Sequence, residues 1–158
     1  MTASDSGATF VVERQTTIAA SPDAIFGHLD DFHHWTGWSP WEAIDPTMWR
    51  GYEGAPTGVG AVYEWKGTRK AGEGRMEIVD SQAPSKLVIN LEFRKPFSSK
   101  STTTFTLEPS GDATVVTWSM TGPKSFMTRV MGIFMRMDKM VGPDFEKGLA
   151  QLKVVTES

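Results

Sequence analysis

The chain has 158 residues, 39% of them hydrophobic and 22% charged, which is the composition of one globular domain rather than of a disordered segment. It has no cysteine, which excludes disulfides and thiolate chemistry, and its net charge of −3 gives no reason to expect nucleic-acid binding. There is no run of about 18 apolar residues and no signal-peptide pattern, so we expect no stable membrane insertion and a cytoplasmic location. We expect a disordered tail over residues 1–8 and a single domain over 9–158.

The N-terminal part predicts a strand followed by a short helix. Alternating residue types indicate a strand from Thr9 to Ala19. Ser21, Pro22 and Asp23 then predict a helix start, because serine caps, proline suits the first turn and aspartate favours the positive end of the helix dipole. We expect this helix to end near Asp30.

Three tryptophans follow the first helix. Trp35, Trp38 and Trp41 are three residues apart, which predicts a short helical turn whose length Gly37 and Pro40 limit. Two interpretations stay open: the indoles plug one end of the core, or one or two of them line a ligand cavity.

The middle of the chain changes to a period of two, which predicts strands with one apolar and one polar face. This pattern is typical of an antiparallel sheet that is packed on one side, and the short connections favour a meander. The predicted strands are Met48–Glu53, Val59–Lys66, Arg75–Ser81, Lys86–Arg94, Lys100–Glu108 and Ala113–Thr121.

The last fifth of the chain, from Pro123 to Val155, predicts a long amphipathic helix with two apolar stripes. Pro143 removes a backbone donor, so we expect a kink or break there. The second stripe makes the apolar face of the first half of the helix unusually wide, and we interpret this stripe as a cavity gate or a partner surface. The first stripe is Phe126, Val130, Ile133, Phe134, Met137, Val141, Phe145, Leu149 and Leu152, and the second is Met127, Met131 and Met135.

Six local stretches carry packing and turn signatures. They are SPDAIFGHLDDFHHWTGWSPWE (21–42), GVGAVYEWKG (58–67), AGEGRMEIVD (71–80), FRKPF (93–97), ATVVTWSMTG (113–122) and DKMVGPDFEKGLAQLK (138–153). With these stretches and this order of elements, the chain resembles the SRPBCC superfamily from Phe10 to Val155. It is most similar to the polyketide cyclase/dehydrase-like branch of uncharacterised bacterial proteins.

The resemblance implies an α+β helix-grip fold. In this fold a curved antiparallel sheet, here of about seven strands, wraps around a long C-terminal helix and leaves an elongated cavity between them. The alternative for every lining residue is an ordinary core position. The candidates are Tyr63, Trp65, Met76, Ile78, Ile89, Leu91, Phe93, Phe105, Trp118 and Met120 from the strands, with Phe126, Val130, Phe134, Met137 and Val141 from the helix.

Catalytic and metal-binding motifs are not evident. His28, His33 and His34 lack the spacing of a metal site and are interpreted as a surface cluster, so no metal, cofactor or catalytic residue is assigned. Glycines at 58–60 and 72–74 are interpreted as hairpin turns, since no helix follows them to bind phosphate.

Polar strand residues alternate with the apolar set and are therefore expected on the wet convex face, in ion pairs between strands. Tyr63 is the exception, because it lies on the apolar face, where its hydroxyl is placed to orient a ligand carbonyl or hydroxyl. The convex-face residues are Glu64, Arg75, Glu77, Asn90 and Glu92.

Three functions are consistent with this sequence. The first is binding or carriage of a small hydrophobic molecule, such as a lipid or a polyketide-like metabolite. The second is a cyclase, dehydratase or isomerase that acts by proton transfer on a polyketide-like substrate. The third is a protein-interaction module. The sequence leaves both monomer and dimer open.

Overall fold

The computed structural model describes residues 9–43, 47–67, 72–95, 98–123 and 133–157, with backbone only over 133–141. Seven strands, two α-helices and two 3-10 helices occur in these ranges. They are β1 (Thr9–Ile18), α1 (Pro22–Leu29), 3-10 helices at Phe32–Gly37 and Pro40–Ala43, β2 (Trp49–Gly54), β3 (Ala61–Lys66), β4 (Glu73–Gln82), β5 (Lys86–Lys95), β6 (Ser99–Ser110), β7 (Ala113–Pro123) and α2 (Ile133–Glu157).

All the strands form one curved antiparallel sheet in the order β1-β7-β6-β5-β4-β3-β2. Strands β2 to β7 follow one another as hairpins, and β1 pairs with β7 at the other edge. The C-terminal helix α2 packs against this sheet, so the predicted α+β helix-grip fold is confirmed.

Strand β7 is longer than the sequence predicts. Gly122 and Pro123 pair with Phe10 and Thr9 on β1, so they end a strand and do not open the long helix. Proline is tolerated at such a position because a strand terminus loses little when one backbone donor is missing.

Helix α2 is continuous through Pro143, so of the predicted kink or break the break is wrong, while the kink stays a prediction. One missing donor removes a single hydrogen bond from a 25-residue helix, while the turns that follow are held by tertiary contacts. Phe145, Leu149 and Leu152, three residues of the predicted stripe, are each at most 2% exposed. Among the described residues, no helix combines the length and apolar character needed to cross a membrane.

A ring stack joins α2 to the sheet. The rings of Phe145 and Trp118 lie parallel, 4.1 Å apart between centroids and 6° apart in orientation. Gly148, one turn further along α2, leaves room for the indole, since an added Cβ would lie 2.7 Å from Cζ3 of Trp118. The predicted inward face of β7 is therefore confirmed at this position.

The tryptophan-rich segment closes one end of the core. The indole Nε1 of Trp35 donates to the carbonyl of Leu29 at 2.9 Å, and that of Trp38 donates to the carbonyl of His28 at 3.0 Å. Both indoles are nearly fully buried and satisfy carbonyls that a helix end leaves without an intrahelical donor. These contacts support the first interpretation of this segment; the side chain of Trp41 lies outside the described residues.

Replacing Gly148 by alanine is expected to lower the free energy of unfolding by about 1–3 kcal/mol. The new Cβ would lie 2.7 Å from the Trp118 ring and 3.0 Å from Cδ of Pro40, so packed side chains must shift. The better helix propensity of alanine contributes only about 1 kcal/mol in the opposite direction. Urea unfolding measures the change.

Gly27→Ala is the matched control for this change. Gly27 is a helical glycine on α1, and its added Cβ would meet no described atom within 4 Å. Helix propensity then acts alone, and stability should rise by up to about 1 kcal/mol. Shifts of the same sign for both variants would contradict the packing argument.

Candidate functional site

Residues directly opposite one another in the register share a face of the sheet, and the burial of Tyr63 and Trp65 marks their face as the inner one. Two such rows cross the sheet at the β2–β5 side. The first row consists of Tyr52, Tyr63, Met76 and Leu91, and the second of Arg50, Trp65, Gly74 and Phe93.

The inner face is fully packed on β6 and β7 but only partly covered at three positions of β4 and β5. On β6 and β7, Phe105, Trp118 and Met120 are 0%, 2% and 6% exposed. On β4 and β5, Met76, Leu91 and Phe93 are only partly buried, although they pack against the same core. We call Trp65, Met76, Leu91 and Phe93 the apolar patch.

Trp65 forms the floor of the apolar patch. Its ring covers Gly74, whose missing Cβ would lie 2.5 Å from two indole carbons. Phe93 meets the indole edge-on, with centroids 5.5 Å apart and planes at 85°, a favourable aromatic arrangement. A glycine opposite the tryptophan therefore lets a large flat ring lie on the sheet.

Three polar side chains adjoin the apolar patch. The carboxylate of Glu42 accepts the hydroxyl of Tyr63 at 2.8 Å and Nε of Arg50 at 2.7 Å. Arg50 also donates through Nη1 to the carbonyl of Met48 at 3.2 Å. We call Glu42, Arg50 and Tyr63 the polar triad; of these, the sequence predicts only Tyr63 as a site residue.

Burial and hydrogen bonding set the protonation of Tyr63 and Arg50. Burial, followed by the hydrogen bond and charge of Glu42, raises the pKa of Tyr63 far above its ordinary value. For Arg50, burial acts against the charged form, but Glu42 outweighs it and raises the pKa. Tyr63 is therefore a neutral donor and Arg50 a cation at physiological pH.

The remaining predicted lining residues divide into two groups. On the strands, Ile78, Ile89, Phe105 and Trp118 are at most 2% exposed and packed in the hydrophobic core. In the C-terminal region, Phe126, Val130, Met127 and Met131 lie outside the described residues. Phe134, Met135, Met137 and Val141 belong to α2, but their side chains lie outside the described part of the structure.

The convex-face charges pair as predicted in one case and differently in another. Arg94 on β5 donates to Glu64 on β3 at 3.3 Å, an ion pair between strands. Arg75 pairs instead with Glu77 on its own strand at 3.0 Å, although the register places it opposite Glu64 and Glu92. Residues two apart on a strand share a face, so Glu77 was within reach of Arg75 as well as Glu64 and Glu92.

The histidine cluster packs around the end of α1. Nδ1 of His33 lies 2.9 Å from the Asp31 carboxylate, and Nδ1 of His34 lies 2.8 Å from the carbonyl of Gly27. The His33 ring also stacks on Tyr52, with centroids 3.9 Å apart. No three histidine, aspartate or glutamate residues within the described ranges are grouped to hold a metal ion.

The histidine cluster lowers the pKa of the Asp31 carboxylate. Burial alone would raise its pKa, but hydrogen bonds from the side chain and backbone of His33, with the charges of His34 and His33, outweigh burial and lower it below the ordinary 3.8.

Comparison with known proteins identifies one family. The model of the family described as polyketide cyclase/dehydrase and lipid transport matches residues 9–157. No curated protein matches the chain in sequence.

Several solved structures share the fold. Protein CV1439 from Chromobacterium violaceum has a TM-score of 0.67 at 12% identity, covering 94% of this chain and 97% of that one. Protein MLL2253 from Mesorhizobium loti has a TM-score of 0.60 at 25% identity, covering 91% and 95%. DynU16, a putative protein of the dynemicin biosynthetic locus, has a TM-score of 0.64 at 14% identity, covering 94% of this chain and 47% of that one.

Tyr63→Phe is expected to lower the free energy of unfolding by about 1–2 kcal/mol, because Glu42 loses a donor at a site that is largely removed from water. Urea unfolding measures the loss. Tyr52→Phe is the control, since the described residues provide no hydrogen bond to that hydroxyl, and its effect should stay within about 0.5 kcal/mol. Equal losses in the two variants would refute a stabilising role for the Tyr63–Glu42 bond.

Asp31→Asn should destabilise the protein at neutral pH and progressively less in acid. The folded-state pKa of Asp31 is lowered, so the unfolded chain binds this proton more tightly. The stability it contributes is complete above the ordinary value of 3.8 and is lost as the pH falls through the lowered pKa. Urea unfolding of both proteins from pH 7 to about pH 2.5 measures this difference, and a constant difference would contradict the prediction.

Proposed function

The chain belongs to the polyketide cyclase/dehydrase and lipid transport family, and we propose that it binds and carries a small hydrophobic molecule between the sheet and the C-terminal helix. The observation that carries this proposal is the apolar patch. Inside a curved sheet whose other half is fully packed, Met76, Leu91 and Phe93 stay partly exposed.

Contact with a ligand would remove this apolar surface from water. Each 100 Å² of apolar surface buried contributes about 2.5 kcal/mol, so a molecule covering three or four large side chains gains substantial affinity. Binding sites for small molecules are mostly apolar with a few well-placed polar groups, and the apolar patch with the adjoining polar triad has this composition. A lipid or a polyketide-like metabolite fits both features.

A second candidate function is proton-transfer catalysis by a cyclase, dehydratase or isomerase. The convergence of Glu42, Arg50 and Tyr63 beside the apolar patch favours it, because such enzymes place an acid or base against an apolar substrate. The two candidates differ in what becomes of the molecule. A carrier releases its ligand unchanged, so a ligand supplied to the protein and extracted again should keep its mass and chromatographic retention, whereas an enzyme would convert it.

The protein-interaction hypothesis depends on the methionine stripe of the C-terminal region. Met127 and Met131 lie outside the described residues, so this hypothesis stays a prediction.

Leu91→Lys is expected to weaken binding of the neutral fluorescent probe N-phenyl-1-naphthylamine by on the order of tenfold, because a charge would enter the apolar patch. Leu91 is partly exposed, so the new ammonium group can reach water in the free protein. A fluorescence titration measures the affinity, and urea unfolding confirms that the variant is folded.

Val79→Lys provides the matched control. Val79 is 39% exposed at the irregularity in β4, where the register with β5 shifts, and it belongs to neither inner row. Its probe affinity should equal that of the unmodified protein. No probe binding to the unmodified protein, or equal affinity in Leu91→Lys, would overturn the proposed site.

A further inference from the structure

The polar triad retains hydrogen-bonding capacity after its internal bonds are counted. Each oxygen of the Glu42 carboxylate accepts one described side-chain bond, whereas a carboxylate offers about four acceptor positions. The side chains of Glu42 and Arg50 are 11% and 22% exposed, so the ion pair is largely desolvated but still reachable. A ligand group can therefore bind to Glu42 without breaking the triad.

The triad and the apolar patch adjoin on one face of the sheet. Tyr63 is directly opposite Met76, and Arg50 is directly opposite Trp65. The rings of Tyr63 and Trp65 are also stacked, with centroids 6.1 Å apart. A molecule whose apolar body covers the patch would thus present a substituent at its edge to Glu42.

The charges around this point favour a neutral substituent. Arg50, the only cation that the described residues place against Glu42, is already bonded to it, so the pair offers no uncompensated positive charge. The hydroxyl of Tyr52 lies near the same charges. Burial and then the charge of Glu42 raise its pKa, despite the opposing charge of Arg50. A ligand carboxylate here would meet the same burial and the same repulsion as a tyrosinate.

We infer that Glu42 is the specificity-determining residue of the site, accepting a hydrogen bond from an uncharged hydroxyl or phenol of an apolar ligand and excluding ligands that present a carboxylate there. The inference rests on the proposed function, because it requires that the apolar patch binds the rest of the molecule. Glu42 would discriminate between ligands because its carboxylate attracts a hydrogen-bond donor and repels an anion.

Displacement of N-phenyl-1-naphthylamine by 2-naphthol and by 2-naphthoate at pH 7 tests this inference. The two competitors share one apolar body and differ in the hydroxyl or carboxylate that they carry. The unmodified protein should bind 2-naphthol tighter than 2-naphthoate by on the order of tenfold. In Glu42→Gln this ratio should fall to about one or invert, because the amide keeps an acceptor oxygen while Arg50 becomes uncompensated.

Glu64→Gln is the matched control. It is the same substitution on the outward face of β3, where Glu64 pairs with Arg94, and the competitor ratio should not change. If Glu42→Gln fails to fold, the unmodified protein still tests the inference, because equal displacement by the two competitors would overturn it.

The outcomes separate the two proposals. Probe binding with equal displacement by both competitors, or a ratio that Glu42→Gln leaves unchanged, would overturn the role of Glu42 and leave the proposed function standing. Absence of probe binding to the unmodified protein would overturn both.

Discussion

The stacked pair of Trp118 and Phe145 is the contact on which the architecture depends. It joins β7, which is paired on both sides, to the C-terminal helix at a centroid distance of 4.1 Å, and it exists because Gly148 lets the helix approach the indole. Trp38 and Phe105 close around the same indole at 5.5 and 5.0 Å. The inner face around this indole is thereby sealed, whereas Met76, Leu91 and Phe93 on β4 and β5 stay partly exposed.

Aromatic contacts extend from this sealed core to the candidate site. Trp35 packs against Phe105, Phe32 packs against Trp35, and Phe32 in turn reaches Tyr63 at 5.9 Å. Rings in such edge-on and tilted arrangements contribute about 0.5–1.5 kcal/mol per pair beyond their buried area. Tyr63 is therefore held by packed rings on one side while its hydroxyl is fixed by Glu42, which gives the proposed binding site a rigid support.

Much of the fold could be predicted from local pattern, because alternation along a strand reports which side is buried. The inward assignments of Phe105 and Trp118 are examples. The helix cap at Ser21, which accepts a hydrogen bond from the backbone N–H of Ala24, was likewise predictable from local residue types. The polar triad could not be predicted in this way. Glu42 and Tyr63 are 21 residues apart, and no periodicity reports that a 3-10 helix brings Glu42 against residues of β2 and β3. The continuity of α2 at Pro143 likewise depends on tertiary contacts that outweigh the local preference of proline.

Strand β2 lies at the edge of the sheet and carries Arg50 and Tyr52, whereas β7 is paired on both sides. Displacing β2 breaks one ladder and the bonds that tie Arg50 to Glu42, while displacing β7 breaks two ladders and the ring stack with α2. Local opening of a protein follows such differences in free energy, and the weakest unit opens most often. The proposed binding face thus lies beside an edge strand that opens more easily than β7, and such local opening would let a bound molecule exchange with solvent while the global fold stays intact.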